Sequence, residues 1–235
     1  YIQQCRRLLD EIREMEHLAA GEYSAPKGQL IVSAPLVFGR LHLLPVITQF
    51  LGAYPDIEVK LSLSDRVVNL LEDRIDVALR IGELPHSSLI ATRLGSINVV
   101  TCASPSYLKR RGTPKEPKAL ADHDCVTFEG LAAPDLWRFG TGRAEESVRV
   151  RSRLVVSTAE AAIDAAIAGA GITRILSYQI QRAVSEGRLT RLLKTYDSAP
   201  RPVSFAYRMD GTLPKKIRAF LDFASPRLRE ALLGS

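Results

Sequence analysis

Several short stretches of this sequence combine hydroxyls, backbone amides and a cation in patterns that could hold a small molecule. Ser33-Ala34-Pro35-Leu36-Val37-Phe38 leaves a β-branched stretch and enters an apolar-periodic one, as a strand feeding a helix does. N–H groups of a first helical turn have no partner inside the helix, and Ser33 adds a hydroxyl, so a carboxylate could dock there. An ordinary helix N-cap would use the same residue types. Ser64-Asp65 lies at the same kind of junction after a second strand pattern. Asp65 reads as a cap, and an acidic cap argues against an anion directly over it. Arg80 and Gly82 close a third strand pattern, Thr101 and Cys102 lie in a fourth, and Ser157-Thr158 precedes a helical pattern, offering a cap and further hydroxyls. Phe128 and Trp137 supply aromatic surface, Phe128 as a candidate pocket wall and Trp137 as core.

Catalytic chemistry finds little support. His17, His42, His86 and His123 are far apart and none falls in HxxxH or HExxH spacing, so no metal motif is visible. There is no G-x-S-x-G elbow and no phosphate-binding P-loop. Gly169-Ala170-Gly171 is too short for a dinucleotide fingerprint and reads as a helix C-terminus turning into a strand. Cys102 and Cys125 read as buried packing residues. The expectation is a protein with no catalytic residue, no metal and no cofactor.

The elements that would position these residues follow from periodicity. Residues 29–33, 57–64, 76–81 and 97–103 read as strands, with helical spacing over 41–53, where Pro45 should kink the helix, and over 67–73. A second set follows: helix 107–111, strands 125–128 and 147–156, helix 159–168, strand 171–176, helix 178–185, strand 203–208 and a helix from 215 past Pro226. Strands alternating with helices of this length indicate βαβ units on a parallel sheet. The first twenty residues differ. Tyr1, Cys5, Leu8, Ile12, Met15 and Ala19 form a heptad seam that Gly21 and Pro26 end, and a seam so short needs a partner.

The 235 residues are 46% apolar and 25% charged, the proportions of a globular domain, which excludes disorder and a disulfide miniprotein. No uncharged apolar run reaches membrane-span length, and the N-terminus has no signal-peptide pattern. Three cysteines fit a reducing cytosol. Net charge is +6, permitting acidic partners, but Lys109, Arg110, Arg111, Lys115 and Lys118 sit in one stretch and Arg149, Arg151 and Arg153 alternate with Val148, Val150 and Leu154 as one solvated strand face. The chain begins without Met inside a charged segment, as a fragment of a longer protein would.

The ordered combination of Gly28-Gln29-Leu30-Ile31-Val32-Ser33-Ala34-Pro35, Phe38-Gly39, Leu43-Leu44-Pro45, Phe50 with Tyr54-Pro55-Asp56, Asp76-Val77-Ala78-Leu79-Arg80-Ile81-Gly82, Leu94-Gly95, Cys102-Ala103-Ser104-Pro105-Ser106-Tyr107-Leu108 and Gly169-Ala170-Gly171-Ile172 closely resembles the regulatory domain of LysR-type transcriptional regulators. The heptad segment resembles the end of that family's linker helix. The resemblance implies an α/β fold of two Rossmann-like lobes joined by two crossover strands, like type 2 periplasmic binding proteins and preceded by an N-terminal helix. Residues 1–20 would be linker helix, 28–100 plus 207–224 lobe I, and 101–204 lobe II.

It also implies a small-molecule effector held between the lobes by Ser33, Ala34, Pro35, Leu36, Val37, Phe38, Ser64, Asp65, Arg80, Gly82, Thr101, Cys102, Phe128, Ser157 and Thr158. The effector is expected to carry a carboxylate. Self-association as a dimer or tetramer is expected through Tyr1, Cys5, Leu8, Ile12 and Met15, and DNA contact only through an upstream winged helix-turn-helix domain for which this chain has no room. The expected setting is cytoplasmic, with no membrane partner. The rival reading is a transporter's solute-binding protein of the same fold, which would need an export signal and would lack the heptad helix.

Overall fold

A computed structural model describes residues 25–65, 74–84, 89–129, 134–209 and 211–233. The heptad seam and the helix expected over 67–73 lie outside them. The chain divides into two compact units, one reaching Gly95 and resuming at Val203, the other spanning Ser96–Pro202. It passes from one unit to the other within strand Ile90–Ile97 and returns within strand Arg201–Tyr207.

In the first unit, β1 (Gly28–Ala34), β2 (Ile57–Leu63), β3 (Val77–Ile81), β4 (Ile90–Ile97) and β12 (Arg201–Tyr207) form a sheet in the order β2-β1-β3-β12-β4. β1 is parallel to both β2 and β3, whereas β12 runs antiparallel to β3. Position in the sheet explains the residue patterns. β1 is flanked on both sides and reads as an almost continuous apolar run, whereas the edge strand β2 exposes Glu58, Lys60 and Ser62 in strict alternation.

Helix α1 spans Leu36–Ala53 and contains a π-helical stretch, Gly39–Leu43, so it begins five residues before the apolar spacing suggested. Pro45 lacks an N–H to give back to the preceding turn. The helix accommodates this loss by widening just before it, where Leu44 N–H donates to the Gly39 carbonyl five residues earlier. Gly39 is where α1 meets the sheet: a Cβ there would run into the Leu63 side chain and Ala34 Cβ. α1 has the length and mean hydropathy (1.4) of a membrane span. Its Phe38, Leu43, Val46, Ile47 and Phe50 are nevertheless buried in the unit's own core, while Arg40, Thr48 and Gln49 are exposed.

The last helix, Lys215–Leu233 (α5 in chain order), closes that core. Phe220 packs edge-on against Phe50 at 5.3 Å and tilted against Phe205 at 5.6 Å. Buried Asp76 lies just before β3 rather than inside it. Its Oδ2 accepts from Ile31 N–H at 2.8 Å, and Lys216 donates to the Gln29 carbonyl at 2.6 Å, tying strand and helix together.

The second unit holds β5 (Val99–Ala103), α2 (Pro105–Arg111), β6 (Asp124–Phe128), β7 (Leu136–Phe139), β8 (Glu146–Arg149), β9 (Arg151–Val156), α3 (Ala159–Ile167), β10 (Ile172–Leu176), α4 (Ser177–Ser185) and β11 (Thr190–Leu192). Its sheet order is β11-β5-β10-β6-β9, with β7 and β8 paired apart. β6, β9 and β10 are parallel, but β5 is antiparallel to β10 and β11 to β5. One face carries α3 and α4 over Val100, Cys102, Ile163, Ile175 and Ile180, and the other a cluster around Tyr107, Leu120, Trp137, Phe139 and Ile172. Trp137 is core, its Nε1–H donating to the Pro134 carbonyl at 3.0 Å.

The single strand expected over 147–156 is two. β8 pairs with β7 and β9 with β6, and the break at Val150 is held by its N–H to the Asp135 carbonyl at 2.8 Å. Alternation survives the break, which is why periodicity alone missed it: Val148 and Val150 are buried while Arg149, Arg151 and Arg153 stay exposed. Strands β4, β7 and β11 were not singled out by the sequence reading; β7, for one, is only four residues long, although it buries Trp137 and Phe139 and exposes Arg138.

Candidate functional site

Parallel pairing brings the carboxyl ends of β1, β2 and β3 to one edge of the first sheet, with Ser33 opposite Ser62 on one side and Ala78 on the other. Open α/β sheets bind ligands at such edges. Ser33 is fully buried, and its Oγ has no hydrogen-bond partner among the described residues. It caps no helix, since the N-cap position of α1 is Pro35 and no side chain of that residue can accept. Val37 and Phe38 are buried and Pro35 and Leu36 half-buried. Ala34 is packed against the helix at Gly39.

Asp65 caps α1, a helix that begins 29 residues before it in the chain. Its Oδ1 accepts the Leu36 N–H at 3.0 Å, and the Ser64 N–H donates to the Ala34 carbonyl at 3.0 Å. The first amide of α1, expected to greet an anion, is thus already held by a carboxylate. Arg80 stands two residues past Ala78 on β3, at the same edge, and is paired across the strand with Ser204 of β12. Gly82 ends β3 with φ +115°, a left-handed backbone value that favours glycine. Ser33, Ser64, Asp65, Arg80 and Gly82 are therefore brought together at one edge.

In the second unit Phe128, Val156-Ser157 and Leu176 mark the corresponding carboxyl edge. Ser157 is exposed. Thr158 is the N-cap of α3, its Oγ1 accepting from Ala161 N–H at 3.2 Å. Phe128 is half-buried against the α3–α4 core.

Thr101 and Cys102 do not reach that edge. β5 runs antiparallel to β10, so only its beginning lies there: Val99 faces Leu176, Thr101 faces Arg174 and Cys102 faces Thr173. Cys102 is sealed among Val100, Ile163 and Ile175, and burial pushes its thiol up to about 12. Cys125 shows the same rise from the same cause.

Beside Thr101, across the β5–β10 pairing, lies a buried charge that the residue spacing does not single out. Arg174 is about 9% exposed; its guanidinium lies 4.3 Å from the Phe139 ring centroid and donates to Ser198 Oγ at 3.1 Å, while its Nε has no partner among the described residues. Burial, and then Arg201, lower its pKa to about 10, so it remains cationic at neutral pH. Only a charged residue inside a buried strand could have signalled it. No cluster of metal-ligating side chains occurs among the described residues.

Two α/β units threaded twice by one chain, with hydroxyls and helix N-termini at parallel strand ends, define a two-lobed ligand-binding domain of the periplasmic-binding-protein type. A family model described as the LysR substrate binding domain matches residues 24–229, and the chain belongs to that family. Among curated relatives it is 31% identical to the uncharacterised HTH-type transcriptional regulator YhjC of Escherichia coli K12, over 99% of this chain and 78% of that one. It is likewise 31% identical to the HTH-type transcriptional regulator CrgA of Neisseria meningitidis serogroup C, over 100% of this chain and 78% of that one. The solved structure of Neisseria meningitidis CrgA superposes with a TM-score of 0.76 at 29% identity, covering 99% of this chain and 78% of that one. The full-length Vibrio cholerae virulence activator AphB gives 0.75 at 26%, covering 94% and 76%. The chain is thus the regulatory domain of a LysR-type transcriptional regulator, and its relatives are transcription regulators rather than enzymes or transport proteins.

Proposed function

We propose that the domain senses a small carboxylate-bearing metabolite at the carboxyl edge of β1 and β3, and that occupancy is passed to DNA binding through the assembly of the whole regulator. One observation carries the reading: Ser33 Oγ is buried at that edge without a partner among the described residues. A hydroxyl shut away unsatisfied costs about 1–3 kcal/mol, which a ligand atom accepting its proton would offset. Arg80 supplies the positive charge at the same edge. The Asp65 cap shapes the reading, since it assigns the effector's carboxylate to Arg80 and leaves Ser33 for a second polar group.

Self-association through exposed apolar surface fits the same function. In the first unit Leu41 and Leu44 of α1 are each 44% exposed, and in the second Leu154 and Val155 of edge strand β9 are 40% and 49% exposed.

The test is a melting-temperature screen of small mono- and dicarboxylates beside their neutral amides. A ligand at a hundred times its Kd adds about 2.7 kcal/mol to the folded state. Stabilisation by a carboxylate that disappears with its amide and in Arg80→Gln is expected. Stabilisation by neutral compounds alone, or unchanged in Arg80→Gln, would overturn the assignment.

A further inference from the structure

The opposite edge of the second sheet, where β6 and β10 begin and β5 ends, carries a cleft of about 450 Å³ that the effector reading leaves unused. Arg110 and Arg111 from the end of α2, Arg153 from β9, Asp124 at the start of β6, Tyr107 and Gly169 line it. Ala170, next to Gly169 in the turn before β10, lines it as well. Gly169 sits at φ +82°, and a Cβ there would come within 3.4 Å of the Arg110 guanidinium, so the turn and that side chain are already in contact.

The three guanidiniums are individually anchored. Arg110 donates to the Gly169 carbonyl at 2.8 Å, Arg111 to the Asp122 carbonyl at 3.0 Å and Arg153 to Asp124 Oδ2 at 2.9 Å. Anchoring takes one or two of each group's five donors and removes part of the freedom a solvated arginine would lose on binding. Among the described residues Asp124 is the single carboxylate of the lining, and it is shared: Arg151 approaches its Oδ1 to 3.9 Å as well. Three lining cations against one carboxylate leave a surplus of two positive charges.

We propose that this cleft is a second binding site of the domain, taking a small phosphate-bearing anion. A surplus of two charges matches a phosphoryl dianion, and planar forked donors match its tetrahedral oxygens. A small molecule fits better than a nucleic-acid backbone. The cations converge on one concave place around a carboxylate, whereas a backbone needs them spaced along an open face. The site shares no residue with the edge around Ser33.

The experiment is calorimetry of the whole chain with inorganic pyrophosphate at constant ionic strength, with a short DNA duplex as a parallel arm. Saturable pyrophosphate binding is expected. Arg110→Gln and Arg111→Gln should each weaken it about tenfold, the scale of one charge-assisted contact. Arg111→Lys, which keeps the charge but loses the fork, should weaken it less. Arg149→Gln, whose parent residue pairs with Asp135 outside the cleft, should leave affinity unchanged. Melting curves of all variants check that each is folded. Absence of saturable binding, an equal loss in Arg149→Gln, or a duplex that binds more tightly than pyrophosphate and displaces it would each overturn the proposal.

Discussion

The carboxylate of Asp65 accepts the first amide hydrogen of α1, at Leu36, 3.0 Å away and 29 residues earlier in the chain. The bond ties the end of β2 to the start of the helix that β1 feeds, and it fills the place where an anion would otherwise meet the helix dipole. Asp65→Ala should therefore destabilise the fold by about 1 kcal/mol, as loss of a cap does. Asp65→Asn keeps an acceptor and removes the charge. It should change the melting temperature little and strengthen binding of anionic effectors, readable by calorimetry on the two variants side by side.

Ser33→Ala separates ligand contact from folding. Because Ser33 Oγ has no partner among the described residues and caps no helix, removing it should leave stability unchanged or raise it by up to about 1 kcal/mol. Effector affinity should fall by about 1–3 kcal/mol. A marked loss of stability in the melting curve would show that the hydroxyl is structural.

Hydroxyls of the second unit should sort the other way. Thr158→Ala should cost about 1 kcal/mol of stability, since Thr158 Oγ1 caps α3. Ser157→Ala should be silent in the melting curve, and any effect it has should appear only in effector affinity.

Stability should fall with acid through His123. This histidine is buried, its Nδ1 3.1 Å from Tyr107 Oη, and burial, with Arg111 adding to it, lowers its pKa below the ordinary 6.5. The unfolded chain then binds more protons than the folded one just below pH 6.5, so stability is complete above that pH and declines as pH drops towards the folded value. His42, lowered by burial, adds to the same window. Chemical denaturation at pH 7.5 and 5.5 should show the decline, and His123→Gln should make it shallower.

Cys102 and Cys125, both with thiols pushed up to about 12 by burial, should resist alkylation. Thiolate, the reactive form, is thereby scarce at pH 8 even before access is considered. Peptide mass spectrometry after iodoacetamide should find both unmodified in the native protein and both labelled in urea. Native labelling of either would show an opening motion reaching its core.

Surface leucines offer a last check. Leu41→Glu with Leu44→Glu, and separately Val155→Glu, should lower self-association in sedimentation while leaving the melting curve nearly unchanged, because these side chains are 44%, 44% and 49% exposed. A charge on an edge strand such as β9 blocks strand-to-strand pairing. Unaltered sedimentation would mean that association uses other surfaces.

Local patterns in the chain determined the kind of fold and which strand end carries the proposed site. Continuous apolar runs announced the buried strands β1 and β3, helical spacing announced α1, α3 and α5, and a strand running into a helix placed Ser33 through Phe38 at the carboxyl end of β1. Each of these rests on interactions between residues close in sequence, which spacing records directly. Tertiary structure alone decided the rest. Nothing near residues 99–103 shows that β5 runs against its neighbours, yet this direction takes Thr101 and Cys102 away from the edge and seals Cys102 in the core. Nothing near Asp65 shows that it caps a helix 29 residues earlier. Nothing near Arg174 shows that Phe139 and Ser198 receive it. Strand direction, distant caps and a buried cation's company all depend on which segments become neighbours, and that is settled by hydrogen bonding and packing across the whole sheet.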